Sequence, residues 1–294
     1  SIIDHAQAES IYNIIKPGTK ASGGSVANTL ASLASLGSKC GFIGKVSDDE
    51  LGNFFVEDIK STGVIYNPKF DPKSAPTARC LISVTPDAER TMQTFLGACV
   101  DLSADDIDEK FISQAKILYL EGYLFDPPEA QNAFKKASKI SKKNEGRVAL
   151  SLSDSFCVDR HREAFLSFIK EDVSILFANE EEIKSLYQAD EFESAIKQVL
   201  NDCEIAVLTR GSKGSVVVAE GQRYKLQPET VSNVVDTTGA GDAYAAGFLF
   251  GLVQGKALDA CGQLGGVIAG EIISNYGARA KRDLNALVQE NLNG

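Results

Sequence analysis

Val234-Val235-Asp236-Thr237-Thr238-Gly239-Ala240-Gly241-Asp242-Ala243-Tyr244-Ala245-Ala246-Gly247-Phe248-Leu249 carries three local instructions in one short run. Two β-branched valines suit a strand, two glycines make a turn, and a helical pattern follows. Ala245, Phe248, Leu249 and Leu252 recur at i, i+3, i+4 and i+7, one face of a helix. A strand running through a turn into a helix is the unit from which α/β proteins are built. The turn also has chemistry. The first N–H groups of a helix lack partners and sit at the positive end of its dipole, so Gly239-Ala240-Gly241 suits an anion. Asp242 sets a carboxylate beside that site. As an N-cap it would contribute about 1 kcal/mol and do no more. An acid next to an anion site can also handle a proton, and the whole run from Asp236 to Asp242 favours that use.

Upstream, residues 4–16 pattern as a helix with Ala6, Ile11, Ile14 and Ile15 on its apolar side, ended by Pro17-Gly18. Gly23-Gly24 precede a helix of small residues that stops at Gly37, a natural position just past a helix end. Asn28, one turn in, can aim an amide at a ligand or stand as a polar outer residue. Gly41–Val46 reads as a strand and Leu51–Ser61 as a helix. Between Tyr66 and Leu96 four prolines punctuate two alternating strands, Ala78–Thr85 and Arg90–Leu96, joined at Pro86-Asp87-Ala88-Glu89. That ribbon suits a lid over residues 66–97, or equally a homodimer contact.

After Gly97 strands and helices alternate. Strands are predicted at Ile117–Leu120, Val148–Leu152, Ile175–Phe177, Ile205–Thr209 and Ser215–Val218. Helices fall at Pro128–Lys142, Arg160–Ile169, Glu180–Tyr187 and Ser194–Leu200, with Ala257–Ser274 and Asp283–Leu292 closing the chain. The fold class is α/β, a mostly parallel sheet with helices on both faces. One domain over 1–294 is expected, with the ribbon inserted.

Ligands of such sheets bind beyond the carboxyl ends of the strands. The polar residues there are Glu121, Ser153-Asp154, Asn179 with Glu182, and Thr209-Arg210-Gly211-Ser212-Lys213-Gly214. Asn179 and Glu182 can orient a hydrated Mg²⁺, or form a capping box. Thr209–Gly214 can cradle a nucleotide, with Arg210 or Lys213 near phosphate, and is a hairpin turn in either case.

Composition narrows the ligand. The 294 residues carry a net charge of −10, which disfavours a nucleic-acid partner. No apolar run approaches a membrane span. Six scattered cysteines with no C-x-x-C pair suit buried thiols in a reduced cytoplasm. Lys45 does not mark a P-loop, because positions 39 and 46 are Lys and Val where Gly and Ser or Thr are needed. Tyr244 breaks the dinucleotide pattern that Gly239 and Gly241 would begin.

Taken together, these residues resemble the PfkB (ribokinase-like) carbohydrate and nucleoside kinases. Asp236–Asp242 is similar to the family's C-terminal signature, and Gly23-Gly24-Ser25-Val26-Ala27-Asn28, continuing to Gly37 and Gly44, to its N-terminal one. Asn179-Glu180-Glu181-Glu182 fits its Asn-x-x-Glu motif and Thr209–Gly214 its nucleotide loop. The resemblance implies ATP-dependent phosphorylation of a sugar or nucleoside hydroxyl. Asp242 would be the base, and Gly239, Ala240 and Gly241 would offer N–H groups to the transferring phosphoryl. Gly23, Gly24 and Asn28 would hold the substrate, while Asn179, Thr209, Gly211 and Gly214 would bind nucleotide. Glu182 would organise Mg²⁺ through water, and Asp236 with Thr238 a monovalent cation such as K⁺.

Glu121-Gly122-Tyr123, Leu150–Ser153, Arg90-Thr91-Met92 and Leu96–Cys99 are more similar to the adenosine-kinase branch. A fructokinase-like or 2-keto-3-deoxygluconate-like sugar kinase is the alternative. Family members also begin with a strand and a substrate-gripping acid that would precede Ser1. A chain truly without them would imply a nucleotide-binding, inactive homologue.

Overall fold

A computed structural model describes residues 1–15, 18–85 and 90–292. Lys16 and Pro17, expected at the end of the first helix, and the Pro86–Glu89 turn lie outside the described residues. The chain forms two compact units, one of Ser1–Leu102, Thr230–Ala246 and Val267–Gly294, the other of Ser103–Glu229 and Gly247–Gly266.

The first unit opens with α1 (His5–Ile14), α2 (Ser25–Ser35) and α3 (Glu50–Ser61). Their starts are set by local polar groups. Asp4 and Gln7 form a reciprocal capping box at α1, and Asp49 Oδ1 accepts the N–H of Gly52, 2.7 Å away, at α3. Gly37, at φ +82°, takes the left-handed conformation that ends α2. The ribbon is present as β1 (Arg79–Val84) paired antiparallel with β2 (Arg90–Phe95).

Two expected strands do not form here. Gly41–Val46 forms a single β-bridge, Gly41 with Ile65, where Phe42 N–H donates to Ile65 O and Ile65 N–H to Cys40 O, both at 2.9 Å. A strand needs a ladder that continues, and no described segment extends this one. Val234-Val235 is not a strand because the N–H groups of Val235 and Asp236 both turn to the carbonyl of Ile273, at 2.8 and 3.3 Å. That carbonyl ends a helix and offers no ladder.

The second unit begins with α4 (Glu109–Ile112), β3 (Ile117–Glu121), α5 (Pro128–Lys143), β4 (Arg147–Ser151), α6 (Ser155–Asp172) and β5 (Ile175–Asn179). It continues through α7 (Glu180–Tyr187), α8 (Phe192–Val199), β6 (Ile205–Thr209), β7 (Ser215–Ala219) and β8 (Gln222–Leu226). The sheet order is β3-β4-β5-β6-β7-β8. The first four strands are parallel, and β7 and β8 add antiparallel. Ile175–Ala178, Ile205–Leu208 and the whole of β7 are buried residue after residue, so both faces of the sheet are covered. Phe125 stacks on Phe165 with centroids 3.8 Å apart, and Phe134 and Phe168 pack around Phe125. β8 escaped the sequence reading because Gln-Arg-Tyr-Lys-Leu is polar and mostly exposed, as an edge strand is.

Three helices remain: α9 (Ala240–Val253), α10 (Leu258–Ile273) and α11 (Leu284–Leu292). Among the described residues no helix is long and apolar enough to cross a membrane.

Candidate active site

In the first unit, α9 begins at Ala240, so Asp242 stands inside the first turn and is not the N-cap. Gly239, at φ +78°, turns the chain into the helix. A Cβ there would meet that of Ala278 at 2.6 Å, while around Gly241 nothing lies within 4 Å of an added Cβ. One side of the turn is packed and the other open.

Asn28 lies on the first turn of α2. Its Nδ2 donates to Asp242 Oδ2 at 2.9 Å, and Thr29 Oγ1 donates to the Asp242 carbonyl at 3.1 Å. The two signature stretches, more than 200 residues apart, therefore meet through this pair. Gly23 and Gly24 are exposed at the start of the same helix, where an added Cβ would meet nothing closer than 4.0 Å.

Two arginines join this group: Arg279, which sequence patterns did not mark, and Arg90, noted there only within Arg90-Thr91-Met92. Arg279 Nη1 donates to Asn28 Oδ1 at 2.9 Å, a contact across 251 positions that no spacing rule could show. Arg90, at the start of β2, donates to Thr237 Oγ1 at 2.5 Å.

Asp236 is buried at 2% exposure. Burial pushes its carboxyl up, but the Thr238 side chain, the N–H groups of Gly277 and Thr238, each 2.9 Å away, and the nearby Arg90 outweigh that and hold it below the usual range. Beside it, Thr238 is buried.

In the second unit, Asn179 and Thr209 are register partners at the carboxyl ends of β5 and β6. Glu182 and Asn179 form the capping box. Both Glu182 oxygens accept from Asn179, from its N–H at 2.9 Å and Nδ2 at 2.7 Å, and Asn179 Oδ1 accepts the Glu182 N–H at 2.8 Å. Burial raises the Glu182 carboxyl to about 7, against the Asn179 backbone hydrogen bond and with Asp154 adding to the rise.

Thr209–Gly214 is a hairpin turn, closed by Arg210 N–H to Gly214 O at 2.8 Å. Gly211 protrudes at φ +56° with nothing within 4 Å of an added Cβ, whereas a Cβ at Gly214 would strike Leu226 O at 2.0 Å. Both cations of the loop face an acid. Arg210 is forked onto Glu180 with two contacts of 3.0 Å and lies over the Phe192 ring, and Lys213 reaches the same acid at 3.5 Å. Asp154 is spent as the N-cap of α6.

The expected residues thus gather in two groups. Gly23, Gly24, Asn28, Asp236, Gly239, Ala240, Gly241 and Asp242 lie in the first unit, and Asn179, Glu182, Thr209, Gly211 and Gly214 in the second. Among the described residues no three of His, Cys, Asp and Glu cluster as a metal cage.

The profile of the pfkB family carbohydrate kinases matches residues 5–284. The chain belongs to that family. This PfkB-family chain is accordingly a phosphotransferase with an alcohol group as acceptor, and its fold is ribokinase-like. The 5-dehydro-2-deoxygluconokinase of Geobacillus thermodenitrificans (strain NG80-2) is 28% identical over 269 residues, 88% of this chain and 80% of that protein. A solved structure of a probable sugar kinase protein from Rhizobium etli CFN 42 is 43% identical with a TM-score of 0.95, covering 99% of this PfkB chain and 88% of its own. The adenosine kinase of Sinorhizobium meliloti is 42% identical with a TM-score of 0.94, covering 99% and 89%.

Proposed function

We propose that this kinase transfers the γ-phosphoryl of ATP to a hydroxyl of adenosine or a closely similar nucleoside. One observation carries the chemistry: the Asn28–Asp242 hydrogen bond holds a carboxylate at the mouth of a helix whose glycine turn is open on one side. Asp242 takes the acceptor hydroxyl's proton as its oxygen attacks. The N–H groups of Gly239, Ala240 and Gly241, with the helix dipole, stabilise the charge that gathers on the transferring phosphoryl. Gly23, Gly24 and Asn28 hold the acceptor, and Asn179, Thr209, Gly211 and Gly214 hold the nucleotide. Mg²⁺, when bound, neutralises phosphate charge. Asn179 and Glu182 would hold it through water, which suits an ion that keeps its hydration shell.

A monovalent cation such as K⁺ would sit at Asp236 and Thr238, where a carboxylate held low stands beside a buried hydroxyl. Residues 66–97 act as the lid of one catalytic domain. Ile82 and Met92, partners across the ribbon and both exposed, offer an apolar patch to a substrate or to a second copy. A reduced cytoplasm suits the free cysteines of the described chain.

Adenosine is preferred because identity to the Sinorhizobium meliloti adenosine kinase is 42% over nearly the whole chain. The 28% identity to a 5-dehydro-2-deoxygluconokinase favours the second reading, a sugar kinase of that or a fructose or 2-keto-3-deoxygluconate type. ATP consumption with adenosine, ribose, fructose and both deoxy-keto acids decides between them. Adenosine should lead by at least ~10-fold in kcat/KM, and a sugar in first place would replace it. Asp242→Asn should lose at least ~10²-fold in kcat; a fully active variant would remove the base.

A further inference from the structure

A carboxamide offers an oxygen on one side and a nitrogen on the other, so the way round that Asn28 sits decides what it presents to its neighbours. Resting on the reading of Asp242 as base, we propose that Arg279 is a positioning residue for Asp242, acting through Asn28. Asn28 is held between a group that can only donate and a group that only accepts when ionised. Arg279 Nη1 donates to its Oδ1, and its Nδ2 donates to Asp242 Oδ2, each at 2.9 Å. Turned over, the amide would face guanidinium with N–H and carboxylate with oxygen, and both ends would repel. With Arg279 in place only one orientation survives, and it aims a donor at the base.

Arg279 is itself fixed. Its Nη2 donates to the Ser22 carbonyl and to Ser22 Oγ, the latter at 3.0 Å. Ser22 is buried, and its N–H and Oγ both donate to Asp58 Oδ2 at 2.7 Å. A continuous polar path thus runs from Asp58 through Ser22, Arg279 and Asn28 to Asp242, drawn from α3, the loop before α2, α2 itself, α9 and the segment after α10. All five residues belong to the first unit. Burial pushes the guanidinium's affinity for its proton down, and Asp58 and Asp242 offset only part of that. A cation flanked in this way serves as a fixed point and not as a mobile surface charge.

Because Arg279 works through Asn28, its effect should vanish when Asn28 has no amide. Arg279→Met should lower kcat by about 10- to 50-fold while the KM for ATP stays within about 2-fold. In an Asn28→Ala background the same change should cost less than about 3-fold, the non-additivity expected of residues that act as one unit. Arg279→Lys keeps the charge without the fork, and should recover at least ~3-fold over Arg279→Met.

Equal losses in both backgrounds would overturn the inference, as would wild-type kcat in a folded Arg279→Met protein. If Arg279→Met does not fold, the same cycle with Arg279→Lys decides by the same criterion. A fully active Asp242→Asn enzyme would instead remove the base reading. An inactive Asp242→Asn beside a fully active Arg279→Met would remove only the role of Arg279.

Discussion

Glu182 shows how a capping side chain can also make stability depend on pH. It completes a capping box at the start of α7 and is buried there, which raises its carboxyl from 4.5 to about 7. A folded value above the unfolded one means that the folded chain holds the proton more tightly between those two pH values. Stability from this group is therefore full below about 4.5 and is lost as pH rises through about 7. Glu182→Gln cannot titrate, so the unfolding free energy of wild type relative to the variant should fall from pH 4.5 to 7. Guanidinium titrations at stepped pH would measure it, and a difference that stays flat would mean that Glu182 titrates alike in both states. The Asn-x-x-Glu spacing made the box legible, while the Mg²⁺ role it also suggested is a proposal. The box itself is a short-range fact, settled by atoms three residues apart. Arg210 was legible only in part: its sequence neighbours suggested phosphate, and the pairing with Glu180 and the Phe192 ring, distant in sequence, did not show.

At the scale of an element, the turn into α9 separates packing from chemistry within three residues. Gly239→Ala would force a methyl against Ala278 at a positive φ and should lose about 1–3 kcal/mol of stability. Gly241→Ala meets open space, so its stability should stay within about 1 kcal/mol of wild type. Its methyl would stand where the phosphoryl is proposed to pass, and kcat should fall at least ~10-fold. Melting curves and turnover of the two variants check this, and a Gly241→Ala enzyme with unchanged kcat would argue against phosphoryl binding at the turn. Helix starts and ends were readable in advance because caps and left-handed glycines are local. Gly41–Val46 and Val234-Val235 were misread as strands because a strand exists only where a partner continues the ladder, which no single stretch of sequence specifies.

At the scale of the whole molecule, two compact units each hold one group of the expected residues, so ligands for both should stabilise the fold by mass action. A ligand at about 100 times its Kd adds roughly 2.7 kcal/mol, which for a chain of this size is about 4–5 °C in Tm. ATP with Mg²⁺ should give that rise in a thermal scan, and chelation should remove most of it. A rise with adenosine but none with ATP would place the binding energy on the acceptor residues alone. The sequence by itself determined the α/β alternation and the family, and it nominated Asp242, Asn28 and the glycine turns as candidates. Those depend on periodicity, turn chemistry and motif order, all of which act over a few bonds or a few turns of chain. Only the tertiary structure decided that Asp242 lies within the helix and not at its cap, that Arg210 is occupied, and that Arg279 reaches Asn28 across 251 positions. Hydrogen bonds and ion pairs act over about 3 Å of space, and which distant residues come that close is set by the packing of whole elements.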